Sequence, residues 1–427
     1  MRVSFLLFAG LLLAAVVSGC GGGSAASSEA ASSGNTASGF TSSAAIAVTD
    51  PVTVGTLKGM SDALVVGDHI VVRSRSDAFV TLNGQPVYPG TRLSVLDKQG
   101  KLVSTTDYGF TLAAGYTGDW VMMLSPDGFI MVQSTSGTRL QHFDAQARLV
   151  GGVTDLYPTV AATSTTEYAA AENGGAVDGN GFWLATTFSL LPVTDKTQYV
   201  LKLCKFDFSG RQLTPPFMIS TSALHPRVAA AGGAVLAGWL EGGGGMLAMW
   251  SKGAGAPTIR SINTGGSQPY PLVLTTDGKM GVLWNGKATM TSTGGVMGVM
   301  IDNYGTPLLA TGRTDLTQET LSAHWDGNVR ATVIDAHAYK GGIAIAGSAV
   351  GALKAGEPIT DVLVLADYTL GTDPLSSSAQ TILRFTLPGR AALGPTPVLR
   401  QMLFDDHAVL LIGDDNRLQA VYTTRNR

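Results

Sequence analysis

The amino-acid sequence predicts a fold built almost entirely of β-strands. Short runs of Val, Leu, Ala, Met and Thr alternate with turn residues, and glycine alone accounts for 54 of the 427 residues. After the first twenty residues, no stretch keeps the apolar period of about 3.6 residues that marks an amphipathic helix. A short motif also recurs along the chain, and each copy has the pattern of a hairpin between two strands.

The recurring motif places an aspartate after an apolar residue and a leucine after the turn. Its five copies surround Asp97, Asp144, Asp207, Asp302 and Asp367. In three copies a glycine follows the aspartate by three residues, whereas the second copy has Ala147 and the fifth carries an extra residue. Aspartate at the first turn position accepts a hydrogen bond from a following N–H, and glycine at the fourth position returns the chain. The five aspartates are therefore predicted to be structural turn residues.

The spacing of these aspartates predicts the number of units. Successive aspartates are 47, 63, 95 and 65 residues apart, and 95 is about twice 47. The long interval indicates a unit that has lost its aspartate, and residues 245–262 have the strand–turn–strand pattern to fill it. A last unit ends at residues 417–424, which gives seven units of about 55 residues.

A second repeated element lies upstream of the hairpins and completes each unit. It pairs a proline-led strand with a glycine turn and an apolar strand that often carries Trp, as in the copies that begin at Pro226 and Pro271. Two inner and two outer strands make a four-stranded antiparallel sheet, and units of this kind resemble the blades of a β-propeller. The resemblance covers most of residues 50–427 and implies only the fold. Six or eight blades, a β-solenoid and a pair of β-sandwiches are the alternatives.

The two ends of this domain are predicted to pair with each other. The last unit stops after its third strand, and a spare strand-like segment, residues 51–57, precedes the first unit. Pairing these two segments would close the ring and remove its exposed edges. The sequence therefore predicts a single propeller domain at residues 47–427.

The first twenty residues have the pattern of an export signal. Arg2 precedes an apolar run, residues 5–17, that is shorter than the roughly 20 residues needed to span a bilayer. The following VSGC, residues 17–20, resembles the lipobox of bacterial lipoproteins. The resemblance implies that residues 1–19 are a signal peptide, that Cys20 is lipidated and becomes the mature N-terminus, and that the bilayer is a partner. Gly21, in place of an aspartate, implies sorting to the outer membrane in a bacterium with two membranes.

Residues 20–46 are predicted to link this anchor to the domain. They are mostly Gly, Ser, Ala, Thr and Asn, with almost no side chain to bury, which is typical of a flexible tether. A coil of that length reaches roughly 25–30 Å. The propeller is therefore expected to stay near a membrane without being pressed against it.

The composition excludes several classes of function. Only 14% of the residues are charged and the net charge is −3, which argues against a nucleic-acid partner. Cys204 has no disulfide partner once Cys20 is lipidated, and its context is that of a strand. Walker, G-x-S-x-G and H-E-x-x-H patterns are missing from the sequence. The sequence therefore predicts no cofactor and favours a protein that is not an enzyme.

One polar cluster is a candidate site. His324, Asp335 and His337 lie in one segment, and Asp335 and His337 are two residues apart, so on a strand they share a face. Such a pair could hold a metal or act as an acid–base pair. The favoured interpretation is structural, with side chains that the backbone satisfies.

The predicted function follows from the anchor, the tether and the ring. The chain is expected to be a cell-envelope lipoprotein that binds or scaffolds an envelope protein or glycan through one propeller face. The alternative is an envelope enzyme, a glycan hydrolase or lyase, with acids at the mouth of the channel.

Overall fold

The structure, a computed structural model, describes 21 ranges of the chain. These are residues 45–48, 52–55, 62–75, 80–82, 85–87, 91–108, 119–134, 137–158, 168–190, 199–251, 255–262, 272–274, 280–285, 296–301, 330–339, 342–351, 360–369, 380–386, 398–405, 407–413 and 418–426. They all belong to one unit, Ala37–Arg427, and every regular element in them is a β-strand. Within these ranges no helix has the length and hydropathy of a membrane span.

The first four sheets each contain four antiparallel strands in chain order. Sheet 1 contains β3 (Asp62–Val66), β4 (His69–Arg75), β7 (Thr91–Asp97) and β8 (Leu102–Tyr108). Sheet 2 contains β9 (Asp119–Ser125), β10 (Gly128–Ser134), β11 (Thr138–Asp144) and β12 (Leu149–Tyr157). Sheet 3 contains β13 (Tyr168–Asp178), β14 (Gly181–Leu190), β15 (Tyr199–Asp207) and β16 (Phe217–Ser220). Sheet 4 contains β17 (Leu224–Ala231), β18 (Ala234–Glu241), β19 (Gly244–Trp250) and β20 (Thr258–Ile262).

The remaining sheets follow the same order with some variation. Sheet 5 contains β21 (Leu272–Leu274), β22 (Met280–Asn285) and β23 (Val296–Ile301), and sheet 6 contains β24 (Arg330–Tyr339), β25 (Gly342–Gly351), β26 (Thr360–Thr369) and β27 (Gln380–Thr386). Sheet 7 contains β28 (Val398–Leu403), β29 (His407–Gly413), β30 (Leu418–Asn426), β1 (Ala45–Val48) and β2 (Val52–Gly55). A separate ribbon, β5 (Val80–Leu82) with β6 (Gln85–Val87), lies between β4 and β7 in the chain.

The seven sheets form a closed ring. The first strand of each sheet contacts the first strand of the next, in the order β3, β9, β13, β17, β21, β24 and β28, and β28 contacts β3 again. Antiparallel sheets repeated radially in this way define a β-propeller, so the predicted fold class is confirmed. Sheet 5 has only three described strands, and the count of seven four-stranded blades stays a prediction.

The N-terminal strands complete the last sheet. β2 pairs with β30 through Val52 opposite Ala420 and Thr53 opposite Gln419, as predicted for residues 51–57. β1 adds a second pairing that the sequence did not predict, with Ala45 opposite Asn426. β1 begins two residues before the predicted domain boundary, because the apolar run AIAV pairs with the extended end of β30.

The core consists of layers between neighbouring sheets. Trp239 of sheet 4 is 1% exposed and packs with Leu201 and Leu203 of sheet 3, while Trp183 packs on the edge of the same cluster. In this arrangement each sheet packs between two neighbouring sheets, and all seven residues of β10 are buried. Since both faces need apolar side chains, these strands have continuous apolar runs instead of a strict alternation.

Three of the predicted aspartate turns have the same geometry, and we call them the Asp turns. In each, Oδ1 of the aspartate accepts hydrogen bonds from the N–H groups two and four residues later, at 2.8–3.0 Å. The aspartate carbonyl also accepts the N–H three residues later, at 2.9–3.0 Å. The three aspartates are Asp97, Asp144 and Asp207.

The fourth position of the Asp turn packs against the preceding sheet. A Cβ on Gly210 of sheet 3, where φ is +89°, would lie 2.8 Å from Cγ2 of Thr154 in sheet 2. Ala147 occupies the same position in sheet 2 with φ at +59°, and it is 1% exposed within a cluster that includes sheet 1. A small residue is therefore needed here both for the backbone angle and for the contact between sheets.

The other two predicted turns differ. Asp302 directly follows β23 and lies outside the described residues. Asp367 lies inside β26, opposite Ala344 of β25 and Thr381 of β27. It is therefore a strand residue, and the turn predicted at this position is wrong. The strand continues for two residues beyond it because Tyr368 and Thr369 pair with Ile343 and Gly342.

Candidate functional site at the mouth of the channel

The strand order distinguishes two ends of the ring. Short turns join the first strand to the second, as at residues 67–68 and 126–127, and the Asp turns join the third strand to the fourth. Both kinds of turn lie at the same end, which we call the hairpin end. The opposite end, which we call the mouth end, is where each first strand begins and where longer connections such as residues 76–90 and 191–198 join the second strand to the third.

The chain enters the propeller at the hairpin end. Ala47 of β1 lies opposite Thr424, and Thr424 lies opposite His407 of β29. The Nε2 atom of His407 donates a hydrogen bond to the carbonyl oxygen of Lys98, in the Asp turn of sheet 1, at 2.7 Å. The start of β1 therefore lies beside an Asp turn, and the mouth end faces away from the entering chain.

Two residues of the predicted polar cluster meet on β24. Nε2 of His337 lies 2.9 Å from Oδ2 of Asp335, which confirms that the two side chains share a face. Asp335 is 3% exposed and also accepts the backbone N–H of Gln401, on β28 of the next sheet, at 2.6 Å. The third member, His324, lies outside the described residues. This acid–histidine pair therefore connects sheets 6 and 7.

The charges around this pair favour its ionised form. Burial raises the pKa of Asp335, but His337, Arg400 and the N–H of Gln401 outweigh it and hold the pKa below its usual range. Burial lowers the pKa of His337, but the adjacent Asp335 carboxylate outweighs it, so the pKa of the imidazole lies above its usual value. The pair is therefore an ion pair that persists over a wider pH range than either group alone would allow.

Charged contacts continue from this pair toward sheets 1 and 2. Nε of Arg400 lies 4.0 Å from Oδ1 of Asp62, the first residue of β3. Oδ2 of Asp62 accepts the backbone N–H of Met122 on β9 at 3.3 Å. Polar contacts thus connect the first strands of sheets 6, 7, 1 and 2 part of the way along these strands, near the start of β3.

A second acid–histidine pair joins sheets 3 and 4. Oε2 of Glu172 accepts the backbone N–H of His225 at 2.6 Å, and Oε1 lies 3.0 Å from Nδ1 of the same histidine. His225 has φ at +54°, a conformation that costs a non-glycine residue roughly 1–2 kcal/mol and that its surroundings must hold. Glu172 contacts both the backbone and the ring, which holds this conformation in place.

Both pairs lie at irregularities of the first strands. The pairing register shifts between Ala170 and Asn173 in β13, between Leu224 and Arg227 in β17, and between Val333 and Asp335 in β24. Such bulges re-aim side chains and are common beside functional sites. Glu172 and His225 were not predicted from the sequence. A bulge leaves no local pattern in the sequence, and neither does a contact between residues 53 positions apart.

An aromatic side chain lies close to the charged groups of sheet 1. Trp120, the second residue of β9, has the guanidinium carbon of Arg73 at 5.1 Å from its ring centroid. Arg73 lies opposite Asp62 across β3 and β4. Trp120 is partly buried and packs against the apolar layer between sheets 1 and 2, so its contact with Arg73 helps to hold these two sheets together.

Two other features bear on the chemistry. Among the described residues, no group of three His, Cys, Asp or Glu side chains could hold a metal ion. Cys204 is fully buried with Sγ 3.0 Å from the carbonyl oxygen of Thr214, and burial raises the pKa of its thiol to about 11. Cys204 is therefore an unreactive core residue.

Comparisons with known proteins bear on the fold alone. No family model matches the chain, and no curated protein gives a significant match. A solved structure of the Dos1 propeller is 11% identical, with 87% of this chain and 93% of that chain covered and a TM-score of 0.45. The propeller domain of the Trilobed protease from Pyrococcus furiosus is 9% identical, with coverage of 88% and 96% and a TM-score of 0.45. An ulvan lyase of polysaccharide lyase family PL25 is 10% identical, with coverage of 87% and 95% and a TM-score of 0.48.

Proposed function

We propose that the protein is a lipid-anchored binding module of the cell envelope, whose mouth end contacts an envelope protein or glycan. The anchor in this proposal is Cys20, supported by the lipobox-like VSGC and the polar residues after it. Because the chain enters at the hairpin end, an anchor there would draw that end toward the membrane. The mouth end would then be presented outward.

The hydrogen bonds of the acidic side chains favour binding over catalysis. Asp335 and Glu172 each accept a backbone N–H from the neighbouring sheet, at 2.6 Å in both cases. A carboxylate with such a bond holds the ring together and is a weaker proton acceptor than one poised toward a substrate. These two carboxylates are therefore better explained as rigid contacts between sheets than as catalytic groups.

The alternative function is that of an envelope glycan hydrolase or lyase. It is favoured by one observation: the His337 side chain is 43% exposed beside the buried Asp335, as in an acid–base pair open to a substrate. The test is to incubate purified protein with peptidoglycan sacculi and measure soluble glycan. We expect no release above that of His337→Asn; release by the wild type that His337→Asn abolishes would establish the enzyme.

Site-specific photocrosslinking in living cells tests the binding module. A photoreactive phenylalanine analogue replaces Leu224 at the mouth end, which is 37% exposed, or Leu149 at the hairpin end, which is 41% exposed. We expect a discrete adduct from position 224 and none of that size from position 149. A muramidase-sensitive adduct would identify peptidoglycan and a resistant one a protein. Adducts from position 149 alone would contradict the proposal.

A further inference from the structure

A half-open pocket lies at the hairpin end, where sheet 3 meets sheet 2. Its volume is about 400 Å³, which is within the range of small-molecule sites. Sheet 2 contributes the turn at residues 126–127 and residues of three strands, and sheet 3 contributes two residues of its Asp turn. The Asp turn of sheet 3 packs against the preceding sheet, and this packing forms the pocket.

One part of the pocket wall is apolar and is held in place by the core. The residues that form this part are Pro126, Phe143, Val150 and Phe208. The ring of Phe208 lies 6.3 Å from that of Phe182, and the ring of Phe143 is stacked 5.0 Å from that of Phe129. Since the two aromatic side chains are packed from behind, the wall is a preformed surface for an apolar stem.

The polar groups of the pocket offer mainly hydrogen-bond acceptors. The hydroxyl of Ser209 donates to Oδ1 of Asp207 at 2.6 Å, so its oxygen is left to accept. The imidazole of His142 donates to the carbonyl oxygen of Phe208, but burial lowers its pKa more than this bond raises it. A neutral imidazole that donates from one nitrogen accepts at the other. A ligand of this pocket must therefore bring hydrogen-bond donors.

The charge of the pocket comes from Asp127. No lysine or arginine is among the described residues that line the pocket. Within the same part of the chain, no hydrogen bond or ion pair engages the carboxylate of Asp127. The nearby carboxylates of Asp144 and Asp207 are each paired with an arginine, at 2.7 and 2.9 Å. Asp127 is thus the carboxylate that is left to bind a cation.

We propose that this pocket binds a primary ammonium group on a short apolar stem, of the kind that a lysine side chain carries. The ammonium donates to the carboxylate of Asp127, and the stem lies against Val150 and Phe208. Binding is weak, because an ion pair with an exposed carboxylate contributes little. This inference does not depend on the lipid anchor or on the mouth end, since all of its groups line the pocket.

Ligand-observed NMR on the purified full-length protein tests the charge of the ligand. The probes are hexylammonium, hexanol and hexanoate, which share the hexyl stem and differ in the head group. We expect hexylammonium to bind roughly threefold more tightly than hexanol, from one exposed ion pair. Hexanoate should bind most weakly, because Asp127 repels it, and high salt should reduce these differences.

Two pairs of variants test the residues. Asp127→Asn should bind hexylammonium and hexanol equally, whereas Asp68→Asn, at the same place in the turn of sheet 1, should keep the preference. Val150→Ser should weaken the binding of both probes. Val153→Ser should weaken neither, because Val153 is as exposed as Val150, at 52%, but lies outside the pocket. Equal urea midpoints would show that the variants keep the fold.

Three results would overturn the proposal. One is that the wild type binds none of the probes, or binds all three equally. Another is a preference for hexylammonium that survives in Asp127→Asn. The last is loss of this preference in both aspartate variants, which would assign it to the general surface charge of the protein.

Discussion

The two ends of the propeller are stabilised in different ways. At the hairpin end, each Asp turn is built from bonds within five consecutive residues, and the same geometry recurs in three sheets. Nearer the mouth end, the bond of Glu172 to His225 joins residues far apart in sequence. The hairpin end is therefore uniform from one sheet to the next, whereas the contact nearer the mouth end is particular to sheets 3 and 4.

Deleting residues 45–55 should lower the free energy of unfolding more than the single substitutions described below. The deletion removes β1 and β2 and leaves β30 with an open edge along most of its length. At about 1 kcal/mol for each lost hydrogen bond, the free energy of unfolding should fall by roughly 5 kcal/mol. Urea unfolding measures it, with deletion of residues 22–32 as a control of equal length. Equal stability of the two deletion variants would show that the pairing does not close the ring.

Gly174→Ala tests the close approach of first strands near the mouth. A Cβ at this position would lie 2.6 Å from the carbonyl oxygen of Pro226 and 2.8 Å from Cα of Arg227, both backbone atoms of the next sheet. Since backbone cannot move aside easily, the variant should lose about 3 kcal/mol of stability. Gly152→Ala is the control, because nothing lies within 4 Å of its Cβ position. Similar unfolding midpoints for the two variants would contradict this packing.

Gly210→Ala makes the matching test at the hairpin end and should have a smaller effect. Both Gly210 and its control Gly243 have positive φ, but only Gly210 has neighbours, the side chains of Thr154 and Leu156. Because side chains can adjust, we expect a loss of about 2 kcal/mol for Gly210→Ala against about 1 kcal/mol for Gly243→Ala. Calorimetry gives the difference, and a larger loss at Gly243 would mean that the Asp turn does not contact the preceding sheet.

An Asp turn and the imidazole of His337 should also respond oppositely to pH. The hydroxyl of Ser209 and the side chain of Arg211 lower the pKa of Asp207, so its contribution is present above its unfolded pKa of about 3.9 and is lost as pH falls through the folded value. The pKa of His337 is raised, so its contribution is complete below about pH 6.5 and is lost as pH rises through the folded value.

Unfolding midpoints measured across pH test this contrast, whose effects should be the smallest of these four. Asp207→Asn should reduce the fall of the unfolding midpoint at acidic pH. Asp127→Asn, in an exposed turn, is the control. His337→Asn should reduce the fall of the unfolding midpoint above neutral pH. The reverse assignment of the two pH ranges would contradict the ionic contacts of Asp207 and His337.

The hairpin end could be predicted from the sequence because its information is local. The Asp turns of Asp97, Asp144 and Asp207 need only a carboxylate, a small fourth residue and a following strand. The same reasoning failed at Asp367, since a short local motif also occurs within a strand that continues. Glu172, His225, Asp62 and Arg400 could not be placed, because bulges and contacts between sheets decide their positions.

Cys20 is the point of attachment in the proposed function. Metabolic labelling with a palmitate analogue, followed by membrane fractionation, compares the wild type with Cys20→Ala and with Cys204→Ala, which changes the only other cysteine. We predict label and membrane association in the wild type and in Cys204→Ala, and an unlabelled, unprocessed precursor for Cys20→Ala. A Cys20→Ala protein that is still labelled and processed would contradict the account.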